Sequence, residues 1–371
     1  ESDRYYETYP TYMSRKFDGE FEVSMQETER LFTQLLSSPQ VKEVADLIAK
    51  RLGRKLQPFD IWYDGFKSRS AITPEELDQL TKKKYPTKDA FANDLPNILI
   101  KLGFTPEKAQ FICSHVCVDP SVGAGHAWES MMKSDCALLR TRIGDDGMDY
   151  KGYNIGVHEF GHNVEQTISL HDVPNYFLRG VPNTAFTEAL AFTFQSRDLQ
   201  LLGVSSVDEV SKYNNTLDIF WGCYEIMGVS LVDMKVWQWL YNHPKATAEE
   251  LKNAVLAIAK EVWNQYYEPI FKIKDQTILA VYSHMIDAPL YLSAYPLGHL
   301  IDFQFENYLE GKNIGTEVEL IFAIGRLTPD LWMKKAVGTE ISVMPLLSAT
   351  SDAVVKITNF DTAQKKNKKR K

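Results

Sequence analysis

A mostly α-helical fold with one small β element is predicted for this 371-residue chain, and three features predict it. Apolar residues recur at near-helical spacing along most of the length. Helix start and stop signals punctuate it at matching intervals. One segment, about 119–148, breaks the helical texture with Gly, Pro and Asp around two short apolar runs.

The elements follow in order. "SMQETERLFTQLLSS" carries apolar residues near helical spacing. "SPQVKEVADLIAKRLG" opens on Ser-Pro and stops at Gly53, a start and a stop signal. "TPEELDQLTKKKY", "TKDAFANDLPNILIKLG" and "TPEKAQFICSHVC" each open on Thr, a good N-cap. "GHAWESMM" and "CALLRTRI" then read as a β-ribbon. Helical texture resumes at Tyr153, with a pair of site helices expected over about 152–203. There is no internal repeat. The reading gives one helical domain, 1–360, and a basic, solvated, disordered tail, 361–371, ending in "KKNKKRK".

Composition narrows the function classes. Hydrophobic residues make up 44% and charged residues 24%, the balance of a soluble globular protein. A net charge of −8 argues against nucleic-acid binding, which needs a basic face. No stretch is apolar for long enough to span a bilayer, and no secretory signal is present. The chain opens on Glu1, so a processed or trimmed product is expected. A cytoplasmic protein is favoured over a periplasmic or secreted one. The four cysteines, Cys113, Cys117, Cys136 and Cys223, are too few for a disulfide scaffold. Cys113 and Cys117 flank His115 one turn apart but lack a second close ligand pair, so they read as ordinary thiols.

The chemistry concentrates at "VHEFGH". Residues four apart on a helix share a face, so His158 and His162 can both turn an imidazole to one metal ion. Glu159 is rotated about 100° from His158 and can reach a ligand of the metal without binding the metal. This is the arrangement that metal-assisted amide hydrolysis requires. Gly161 lets another backbone approach or reduces crowding. A third ligand is needed, and Glu188 is expected to supply it rather than to pair with an Arg or face solvent. It stands among Phe186, Ala189, Leu190, Ala191 and Phe192, where a lone carboxylate is costly unless something positive meets it. His171 lacks the glycine pattern of a third ligand. Glu165, one turn beyond His162, is either a support for the ligands or a solvated surface residue. One Zn²⁺ per chain is expected on His158, His162 and Glu188.

At these residues a family becomes recognisable. "VHEFGH" followed by "GVPNTAFTEALAF" resembles the thimet oligopeptidase and oligoendopeptidase F family of gluzincin-type zinc peptidases. "LGRKLQPFDIWYDGFK", "DPSVGAGHAW" and "YSHMIDAPLYLSAYPLGHLIDFQFENY" are similar to three more of its segments. The resemblance implies a helical zincin-type catalytic domain with a small β-sheet or ribbon beside the HExxH helix. It implies hydrolysis of short peptides, with Glu159 as general base and acid. It assigns His284, Tyr291 and Tyr295 to the groups that hold substrate and the developing oxyanion. It makes the ribbon an edge that takes a peptide in extended form, with Gly123 and Gly125 admitting it. Family members are longer, with an N-terminal helical half that closes over a channel, and here the recognisable part starts almost at once. Two alternatives stay open: a catalytically weak peptide-binding protein on the same scaffold, or a truncated catalytic half needing that missing region.

Overall fold

A computed structural model describes residues 2–67, 73–121, 123, 125–204 and 209–368. The chain is mostly helical with one small sheet. It forms two compact units. One comprises Glu1–Ser68, Asp208–Leu300 and Ser342–Lys371; the other comprises Arg69–Val207 and Ile301–Ile341.

The first unit is helical. Its longest helix, Glu209–Asn242, packs against Met25–Leu36, Ala248–Tyr266 and Met344–Lys368. The sequence dictates these helices locally. Ser24 caps Met25–Leu36 by accepting the Glu27 N–H at 3.1 Å. Its Leu31, Phe32, Leu35 and Leu36 fall on one face and are buried. Pro39 opens the next helix, and Gly53 ends it at φ 68°, where a side chain would be strained. The last helix runs to Lys368, so eight residues of the tail expected to be disordered have helical backbone. Residues 369–371 lie outside the described residues.

The second unit carries the sheet. Thr73, Thr87 and Thr105 cap its first three helices, as their positions suggest. The expected small sheet or ribbon is present as a three-stranded mixed sheet of order β1-β3-β2. Strand β1 (Val116–Ser121) runs parallel to β3 (Ala137–Arg142), and β2 (His126–Trp128) is antiparallel to β3. Cys117 and Cys136 form a disulfide, which corrects the reading of Cys117 as a thiol. It ties β1 to the residue just before β3. Strand β3 alternates, and Ala137, Leu139 and Thr141 are buried. The HEFGH helix, Tyr150–Asp172, packs against this strand. Thr141 Oγ1 donates to the Gly152 carbonyl at 2.6 Å, and a Cβ on Gly152 would collide with the Arg142 carbonyl.

Candidate metal centre

The site is built on two helices of the second unit. The first is the HEFGH helix, capped by Asp149, whose Oδ1 accepts the Gly152 N–H at 2.7 Å. The second is Thr184–Gln195, capped by Asn183 Oδ1 on the Ala185 N–H at 2.9 Å. The loop between them carries the Pro and Gly that end one helix and return the chain. The two helices touch at Gly161. A Cβ there would lie 2.8 Å from Ala191 Cα and 3.1 Å from the Leu190 carbonyl oxygen. Of the two readings of Gly161, close approach is therefore the observed one.

This approach brings His158, His162 and Glu188 together. The two Nε2 atoms are 3.2 Å apart. Glu188 Oε2 lies 3.5 Å from His158 Nε2 and 3.8 Å from His162 Nε2. A tetrahedral zinc with ligands at about 2.0–2.1 Å sets ligand atoms about 3.3 Å from one another. The three donors fit that ion with little movement. Their chemistry fits as well. Burial depresses His158 to about 4, and burial with the neighbouring His158 depresses His162 to about 3. Both are therefore neutral imidazoles near pH 7, the form that binds a metal.

Glu159 is 9% exposed beside these donors. Burial, then the Glu188 carboxylate, push it up to about 7, while the Ala127 N–H of β2 donates to it. A group poised there can take and return a proton at neutral pH. Gly125 packs against this same region: a Cβ on it would overlap Ile155 and sit 3.2 Å from Glu159 Cγ. Its missing side chain thus makes room for the HEFGH helix rather than for a substrate. Around Gly123 the space is open.

Glu165 is buried at 4% exposure, so the solvated reading fails. It accepts from Ser169 Oγ at 2.7 Å, and burial raises it to about 7. His171 stands apart, its ring 4.3 Å from that of His115 and 5.2 Å from that of Phe111. Residues the sequence reading did not single out support the ligands: Gln195 meets His158, and Thr187 meets His162.

His284, Tyr291 and Tyr295 lie in the first unit and cluster with each other. The tyrosine rings meet edge-on at 5.4 Å, and Tyr295 Oη is 3.5 Å from His284 Nε2. The turn before Tyr291 is held firmly. Leu290 adopts φ 62°, unusual for a branched side chain. Its N–H donates to Asp233 at 2.7 Å, and the Tyr12 hydroxyl donates to the Pro289 carbonyl at 3.1 Å.

No family model matches the chain. No curated protein matches it either. Solved structures do share its fold. Metallocarboxypeptidase 1 of Trypanosoma cruzi superposes with a TM-score of 0.56 at 13% identity, over 93% of this chain and 72% of that one. PZ peptidase A, solved with an inhibitor, gives 0.59 at 15% identity, over 92% and 60%. A peptidase of Chlamydophila abortus gives 0.57 at 11%, over 89% and 55%. The chain therefore spans under two thirds of the length of the last two. Among the described residues, no helix is long and apolar enough to cross a membrane.

Proposed function

We propose that the chain is a zinc-dependent metallopeptidase that hydrolyses short peptides, akin to the thimet oligopeptidase and oligoendopeptidase F family. One observation carries the reading: two neutral imidazoles and a buried carboxylate converge at zinc spacing with a second carboxylate, Glu159, at their side. The peptidase fold of the solved neighbours supports it.

His158, His162 and Glu188 would hold the ion, which when bound polarises a carbonyl and acidifies water. Glu159 takes the proton of the attacking water on its carboxylate and then delivers it to the leaving amine. Its burial keeps the proton affinity high enough for the second task. The edge of β2 offers backbone groups to an extended peptide. By the resemblance, Tyr291, Tyr295 and His284 hold substrate and the developing negative charge.

The test combines metal content with mass-spectrometric digestion of a mixed short-peptide library. Wild type is expected to hold one zinc per chain and to cleave. Glu159→Gln is expected to keep the zinc and lose at least about 10²-fold in rate. Zinc with no cleavage by either protein would sink the peptidase and favour a peptide-binding protein on this scaffold.

A further inference from the structure

Each site histidine is backed by a hydrogen-bonded relay that ends on a buried carboxylate. Behind His158, Nδ1 lies 3.1 Å from Gln195 Oε1. Gln195 Nε2 donates to Asn154 Oδ1 at 2.8 Å, and Asn154 Nδ2 donates to Asp198 Oδ2 at 2.7 Å. Asp198 is anchored in turn by the Tyr150 hydroxyl at 2.6 Å. Behind His162, Nδ1 lies 2.9 Å from Thr187 Oγ1. Thr187 is hydrogen-bonded to Glu165 by its side chain.

The direction of every link follows from the groups in it. An amide NH₂ only donates and an amide oxygen only accepts, whatever the charge on the carboxylate at the end. Asp198 therefore takes a proton of the Asn154 amide, which leaves the Asn154 oxygen to accept from Gln195. The Gln195 oxygen then has only the accepting role toward His158, so the His158 proton must sit on Nδ1. In the second relay Glu165 takes the Thr187 hydroxyl proton, and the hydroxyl oxygen accepts from His162 Nδ1. The Thr187 backbone also hydrogen-bonds this ring, and a carbonyl too can only accept. Both rings are left with a bare lone pair on Nε2, and these are the atoms that face each other at 3.2 Å. The other tautomer would aim an N–H at the cation.

We propose that Asp198 and Glu165 are positioning residues of the metal centre. Acting through Asn154 and Gln195, and through Thr187, they hold His158 and His162 as Nδ1–H tautomers that present Nε2 to the ion. The inference rests on the zinc reading above and extends it to five residues outside the three proposed ligands.

Thr187→Val keeps the shape and removes the hydroxyl; Thr187→Ser restores it. Gln195→Met keeps the length and removes the acceptor. Zinc affinity of the full-length proteins is measured by competition with a chelator, alongside thermal unfolding of the metal-free forms. The Val and Met variants are expected to bind zinc about 10- to 100-fold more weakly, with the Ser variant near wild type. A parallel loss in Thr187→Ser and Thr187→Val, or wild-type affinity in both Val and Met variants, would overturn the proposal. Long-range imidazole ¹H–¹⁵N correlations on wild type supply the second readout. Protons on both Nδ1 atoms are expected, and a proton on Nε2 with Nδ1 bare in either ring overturns it. Wild type that takes up no zinc would sink the peptidase reading instead, and the proton positions would still judge the relays.

Discussion

Asp233 is a buried acid far along the chain from the proposed metal ligands, and it sets a pH dependence of its own. It is 2% exposed on the helix Glu209–Asn242 and accepts the N–H of Leu290. That bond and the burial of Leu290 hold a left-handed backbone whose strain is on the order of 1–3 kcal/mol. Burial pushes the Asp233 carboxyl from 3.8 up to about 7. Between those values the folded protein keeps a proton that the unfolded chain has lost. The stability contributed by the protonated acid is thus present below 3.8 and lost as pH rises through about 7. Asp233→Asn keeps an acceptor for Leu290 and cannot ionise. Its stability relative to wild type should therefore improve from pH 4 to about pH 7 and level off above it. Denaturant unfolding at several pH values checks this, and a gap that stays constant would show that Asp233 does not titrate in this range.

At the scale of elements, the contact between the HEFGH helix and Thr184–Gln195 decides where Glu188 stands. A glycine inside a helix costs about 1 kcal/mol against alanine. Gly161→Ala would recover that amount in an isolated helix. Here its Cβ would meet two backbone atoms of the partner helix, at 2.8 Å and 3.1 Å, and neither can swing aside. Overpacking of this kind costs about 1–3 kcal/mol, so it outweighs the propensity gain. Gly161→Ala should lower the melting temperature of the metal-free protein and weaken zinc binding, because separating the helices draws Glu188 away from both histidines. Stability raised with zinc affinity unchanged would show that the helices do not depend on this contact. Much of this element-level structure was legible beforehand. Thr73, Thr87 and Thr105 act locally, and each does cap a helix. HEFGH and Glu188 were legible because helical spacing and a misplaced charge are properties of short windows. The disulfide was not: Cys117 and Cys136 meet only because β1 pairs with β3 in a parallel register, Val116 against Ala137. The relays were hidden for the same reason, since Asp198 reaches His158 through two side chains 44 and 41 residues apart in sequence from their partners.

Across the whole molecule the division into two units was the least legible feature, because the first is assembled from three separate stretches of chain. No local window records that assembly. It has a consequence for function. The three proposed metal donors and both relays belong to the second unit, whereas Tyr291, Tyr295 and His284 belong to the first. Metal affinity and the tyrosines' contribution should therefore separate under mutation. Tyr295→Phe removes one hydroxyl, which lies 3.5 Å from His284, and keeps the ring that packs on Tyr291. Zinc affinity should stay at the wild-type value. If the hydroxyl stabilises the developing oxyanion, kcat should fall by about 10²–10³ with KM changing little, the pattern of an interaction made in the transition state. Full activity in Tyr295→Phe would remove Tyr295 from the catalytic group and leave Tyr291 to be tested in the same way. A loss of zinc would mean that the metal centre depends on the first unit after all.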